Sequence, residues 1–80
     1  RAAAYVGLAN LARYEGDLAA ARSLNERALA ECPGGSFAAE SVRAGAMISL
    51  GWLAVAEGRP AEAVRLHREA LLTGHRWHAG

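Results

Sequence analysis

Asn10 and Arg13 stand three residues apart, a spacing that puts two side chains on one face of a helix. Arginine offers a planar fork of donors and asparagine both a donor and an acceptor, so the pair can hold a carboxylate or a peptide backbone. Trp52 can anchor an apolar side chain or stack on a sugar-like ligand, and it can equally pack against a neighbouring helix. His75 and His78 share a helical spacing, but two imidazoles without a carboxylate or thiolate beside them fall short of a zinc site. His67 has no serine, cysteine or acid placed to form a triad with it and reads as a packing residue.

The wider search for reactive groups ends the same way. There is no phosphate-binding glycine loop, nucleophile elbow, ligand cluster for a metal or pair of catalytic carboxylates. The chain therefore reads as non-catalytic, with no cofactor expected. Cys32 is the single cysteine, so no internal disulfide can form, and a reducing cytoplasm is the simplest setting.

Composition narrows the class further. Hydrophobic residues make up 52% of the 80 and charged residues 21%, the balance of a globular chain. No apolar run approaches the roughly 20 residues of a membrane-spanning helix. Arg1 to Tyr5 lead straight into a patterned helix without the apolar block of a signal peptide. Nine basic residues against eight acidic ones leave a net charge of +1, which lacks the electrostatic footprint of a nucleic-acid binder. Every basic residue is arginine and glutamine is absent, a bias typical of high-GC bacterial genes.

The elements that must carry these side chains come from an internal repeat. A shift of 42 residues, which brings Gly16 onto Gly58, overlays the window Leu8 to Leu29 on Leu50 to Leu71. Identities include Leu8 with Leu50, Leu11 with Leu53, Ala21 with Ala63, Leu24 with Leu66 and Leu29 with Leu71. Each window reads as helix, glycine turn, helix, with apolar residues recurring at spacings of three and four. Gly16 permits the left-handed conformation that ends a helix, and Asp17 can accept from the free amides that begin the next. Pro60 suits a first helical position. Second helices are predicted from about Leu18 to Glu31 and from about Pro60 to Thr73. Pro33, Gly34 and Gly35 break the chain between repeats, and Ser36 is the expected cap of a long helix from Phe37 to about Ala56. Residues 75–80 read as the start of a further repeat after a break at Gly74.

The pattern resembles the tetratricopeptide repeat. Tyr5 sits at the aromatic position, Leu8 and Ala9 at the Leu-Gly pair, Ala21 and Ala28 at the small positions and Pro33 at the closing proline. The second repeat supplies Met47, Leu50, Gly51, Ala63 and Ala70. Ala12 and Ala54 depart from the pattern where a bulky residue is usual, Asn25 and His67 where an aromatic is usual, and His75 where a proline is usual. The period of 42 exceeds the common value of about 34, and the text around Leu50-Gly51-Trp52 and Gly58-Arg59-Pro60 is similar to repeats of MalT-like and LuxR-type bacterial transcriptional regulators.

The resemblance implies an all-α chain of two tandem helix-turn-helix hairpins, a right-handed α-solenoid fragment. Repeat one runs over about 2–33, repeat two over about 37–74, and a truncated repeat over 75–80. Small residues at Ala9, Gly51, Ala21 and Ala63 would let paired helices approach, with Leu8, Leu50, Leu24 and Leu66 filling the space between layers. It also implies a scaffold that binds a protein or peptide, or neighbouring repeats of the same chain, as the sensing region of a regulator; the alternative is a sugar or metabolite effector. The partner-binding groove is expected on first-helix positions free of packing: Val6, Asn10, Arg13 and Tyr14, then Ser49 and Trp52, with Gly45, Ile48 and Val55 alongside. A terminal-carboxylate clamp would want a lysine near Asn10, and the chain has none. Direct nucleic-acid or membrane binding is not expected. Two units fall short of the about three that repeat arrays need for stability, which points to self-association through bare ends.

Overall fold

The described residues form four helices. The computed structural model describes the backbone of residues 1–79 and the side chains of residues 1–74. Helix α1 spans Ala2–Tyr14, α2 Leu18–Glu31, α3 Phe37–Ala56 and α4 Pro60–Ala79, and no strand occurs among the described residues. Gly16 and Gly58 take φ values of +85° and +77°, the left-handed backbone that closes each hairpin. The Asp17 carboxylate accepts from the Ala20 amide at 3.1 Å, and the Ser36 hydroxyl accepts from the Ala39 amide at 3.1 Å. Both caps satisfy donors that the first helical turn leaves free.

The break between hairpins has its own chemistry. Gly34 and Gly35 hold φ values of +96° and +99°, and the Glu40 carboxylate folds back to accept from the Gly35 amide at 3.2 Å. Arg43 donates to the Leu29 and Cys32 carbonyls at 3.0 and 2.6 Å, satisfying the C-terminal end of α2 from α3. The half-buried Cys32 thiol donates to the Ala39 carbonyl at 3.5 Å, a packing role.

α4 differs from the sequence expectation. It runs without a break through Gly74 to Ala79, where an end near Thr73 and a fresh helix were expected. Glycine ends a helix by adopting positive φ, and Gly74 does not. Repeat one also carries Pro33 at the next position, whereas His75 keeps the amide that a continuing helix needs.

Packing is densest within each hairpin; α2 joins α3 to link the hairpins, and α1 touches α3 as well. One apolar cluster runs through Ala21, Met47, Leu50, Leu53, Leu66 and Ala70, with Ala12, Leu18, Leu29 and Ala44 against it. Ala9, Ala21, Ala46 and Ala54 are wholly buried, as small residues at close helix crossings should be. Of the leucines expected between layers, Leu50 and Leu66 are buried, Leu24 is half-buried and Leu8 is 51% exposed. The α1–α2 hairpin packs against α3, which carries Leu50. No helix among the described residues is long and apolar enough to cross a membrane.

Candidate functional site

The α3–α4 hairpin packs around a glycine. An ideal Cβ on Gly51 would fall against Nε2 and Cδ2 of the His67 ring, so a larger residue here must push the imidazole aside. The ring is held on two sides: Nε2 lies 3.3 Å from the Ile48 carbonyl, and the Trp52 indole meets it edge-on with centroids 5.6 Å apart. The register puts Ala9 and the smaller Asn25, both fully buried, at the equivalent positions of repeat one.

That arrangement leaves a cleft of about 350 Å³ between the two helices, lined by Ile48, Trp52, His67, Ala70 and Leu71. A second hollow of about 310 Å³ shares Ile48 and continues along α3 past Gly45, Ala44 and Ser41 to Phe37. Ile48, Trp52 and Val55 are roughly half exposed and recur at the three-and-four spacing of one helix face. The result is an apolar groove along α3, floored by α4.

The six residues expected to line a groove do not meet in one. Ser49 is corrected: it is 5% exposed and its hydroxyl accepts from Asn25 Nδ2 at 2.8 Å, inside the α2–α3 interface. Adding one residue to Ile48 turns the side chain by about 100°, from the open face to the buried one. Val6, Asn10 and Arg13 are half-buried on α1. The Arg13 guanidinium lies over the Tyr14 ring at 5.6 Å and its Nε is buried without a partner, so one edge of its donor fork is closed to a ligand. Tyr14 is 83% exposed at the end of α1. Trp52 alone of the six lines the groove described above. His75 and His78 lie outside the described side chains.

Sequence reasoning missed the contribution of α4, because it sought the groove on first helices only. The register held the clue: Ile48, Trp52, His67 and Leu71 correspond to Val6, Asn10, Asn25 and Leu29. In repeat one, α3 lies against the α2 part of that surface. Asn25 is fully buried, bonded to Ser49 of α3 and to the Ala21 carbonyl, and Leu29 packs on the cluster that includes Met47.

Electrostatics gather elsewhere. Arg22 of α2 reaches Glu57 at 2.7 Å and Glu62 at 3.7 Å, and Arg59 bonds Glu57 and meets Glu62 at 2.8 Å. Hydrogen bonds from Arg22 and then Arg59 hold the Glu57 carboxyl below its ordinary value, and the bond to Glu57 raises the Arg22 guanidinium. This knot ties the first hairpin to the turn of the second. Of the pairs expected on the solvated faces, Arg22–Glu26 and Arg27–Glu31 form at 3.7 and 3.3 Å, while Arg65 and Glu69 do not pair.

No family model, curated protein or solved structure matches the chain.

Proposed function

We propose that this chain is a non-catalytic, tetratricopeptide-like helical-repeat scaffold that binds a protein partner, through an apolar helix face, in the groove between α3 and α4. The observation that carries the reading is the register of the groove: His67 and Leu71 are the counterparts of Asn25 and Leu29, against which α3 itself lies in repeat one. A surface whose counterpart already holds a helix is suited to hold another. By the resemblance to regulator repeats, the setting we propose is cytoplasmic, in the sensing region of a bacterial transcriptional regulator.

The lining favours a partner helix over a sugar or polar metabolite. In the cleft between the helices, Ile48, Ala70 and Leu71 are apolar, Trp52 adds only its indole N–H, and His67 Nε2 already faces the Ile48 carbonyl; Glu40, Ser41 and Thr73 line the hollow further along α3. Small polar ligands need several converging polar groups to fix them. An apolar helix face needs shape and buried area, which indole, isoleucine and leucine side chains provide.

Selection of helical peptides from a displayed library against the immobilised protein tests the reading. Enriched peptides should carry apolar residues at spacings of three and four, and binding should fall at least about tenfold with Ile48→Asp or Trp52→Ala, the scale of losing one interface anchor. Binders indifferent to both substitutions, or none at all, would refute a helix-binding groove.

A further inference from the structure

A third cleft, of about 280 Å³, lies between the break that joins the hairpins, α3 and α4, and is lined by Pro33, Glu40, Arg43, Met47, Glu69 and Thr73. It adjoins the hollow along α3 at Glu40 and Thr73, but its chemistry is different, with four polar side chains converging on one small space. Their hydrogen-bonding capacity is only partly used. Glu40 accepts from the Gly35 amide, and neither Glu40 nor Glu69 forms an ion pair among the described residues. Both bonds from Arg43 to the Leu29 and Cys32 carbonyls leave from Nη1, so Nη2 and Nε have no partner among the described residues. Thr73 is only 6% exposed, yet its hydroxyl makes no hydrogen bond among them either. Burying a hydroxyl costs stability unless something pairs with it.

The same register positions are filled differently in repeat one. Tyr5, Arg27 and Glu31 stand there in place of Met47, Glu69 and Thr73. The Arg27 guanidinium lies over the Tyr5 ring at 5.1 Å and bonds Glu31 at 3.3 Å, so repeat one supplies a cation to this place from its own chain. Repeat two has a glutamate where that arginine stood, which keeps acceptors in the cleft and removes the cation.

We propose that this cleft binds a free amino acid by its ammonium and carboxylate groups. An ammonium carries three N–H donors, and the Glu40 carboxylate, the Glu69 carboxylate and the Thr73 hydroxyl are three acceptors for them. The unused edge of the Arg43 fork suits the ligand carboxylate. Met47 and Pro33 offer the apolar wall for a side chain. Two carboxylates against one guanidinium make the ammonium the group that the cleft selects for. The volume falls just below the about 300–1,000 Å³ of pockets that hold drug-sized ligands, which suits one amino acid. The site is separate from Trp52 and Leu71, so the groove reading does not depend on it.

Titrating the isotope-labelled full chain with each of the common L-amino acids to millimolar concentration, followed by amide NMR shifts, tests this. At least one should shift the Arg43, Glu69 and Thr73 amides saturably. Its N-acetyl derivative, which lacks the ammonium, and its carboxamide, which lacks the carboxylate, should each bind at least about tenfold more weakly. Glu69→Gln and Thr73→Val should each weaken binding about tenfold, the scale of one hydrogen bond to a charged group. Glu69 is exposed and valine keeps the branched shape of threonine, so circular dichroism should show unchanged helix content. Trp52→Ala, in the groove, should leave the affinity for the amino acid unchanged. No amino acid shifting these amides, equal binding of the N-acetyl derivative, or an affinity indifferent to both Glu69→Gln and Thr73→Val overturns the proposal. None of those results touches the binding of displayed helical peptides, which tests the groove alone.

Discussion

Replacing Gly51 by alanine places a methyl group against the His67 ring. The nearest ring atom would lie at 2.4 Å, so the imidazole must recede by at least about 1.1 Å to reach ordinary carbon contact. Two contacts oppose that shift, the 3.3 Å approach of Nε2 to the Ile48 carbonyl and the edge contact with Trp52. Overpacking a close crossing costs about 1–3 kcal/mol, and losing an aromatic edge contact about 0.5–1.5 kcal/mol. Alanine recovers about 0.5–1 kcal/mol over glycine in a helix interior. The net expectation for Gly51→Ala is a loss of about 1–3 kcal/mol, with a melting temperature lower by about 4–8 °C for each kcal/mol in a domain of this size. The chain also supplies the rescue. Gly51→Ala with His67→Asn reproduces the Ala9 and Asn25 pair of repeat one, so in the His67→Asn background the alanine should be neutral or stabilising. Urea unfolding followed by circular dichroism across the four-member cycle measures the coupling, expected at about 1 kcal/mol or more. If Gly51→Ala costs the same in both backgrounds, the ring is not what excludes the methyl and the reasoning fails.

The ion-pair knot predicts a pH effect of definite sign. Arg22 and Arg59 hold the Glu57 carboxyl below its ordinary value of 4.5, so its contribution is present above that value and is lost as pH falls through the lower folded value. Urea midpoints recorded from neutral to acid pH should fall less steeply for Glu57→Gln than for the unsubstituted chain; parallel curves would show the knot contributes nothing. Arg43→Ala removes two hydrogen bonds to the carbonyl end of α2, and bonds from a charged donor are worth about 1.5–3 kcal/mol each. Partial solvation of these groups puts the expected loss at about 1–3 kcal/mol in the same unfolding assay, and no change would mean water replaces the guanidinium freely.

Local chemistry made much of the architecture legible. Asp17 and Ser36 cap because their short acceptors sit one residue before a helix, and Gly16 and Gly58 stop helices because they alone tolerate the left-handed backbone without strain. The helices Leu18–Glu31 and Phe37–Ala56 follow from such signals. Gly74 misled because a glycine stops a helix only where the next residues also favour leaving it, and His75 does not compel that as Pro33 does.

Sequence by itself determined the helices up to the end of α4, their turns and the 42-residue register that relates them, since each depends on residues within a few positions or on direct self-comparison. It could not decide which equivalent residue is covered. Leu8 and Leu50 are the same amino acid at the same repeat position, yet one is 51% exposed and the other 5%. Ser49 and Ile48 are neighbours, yet one bonds inward to Asn25 while the other lines the groove. Burial is a property of what packs against a surface, and for this chain it is set by contacts between hairpins that lie far apart along the sequence.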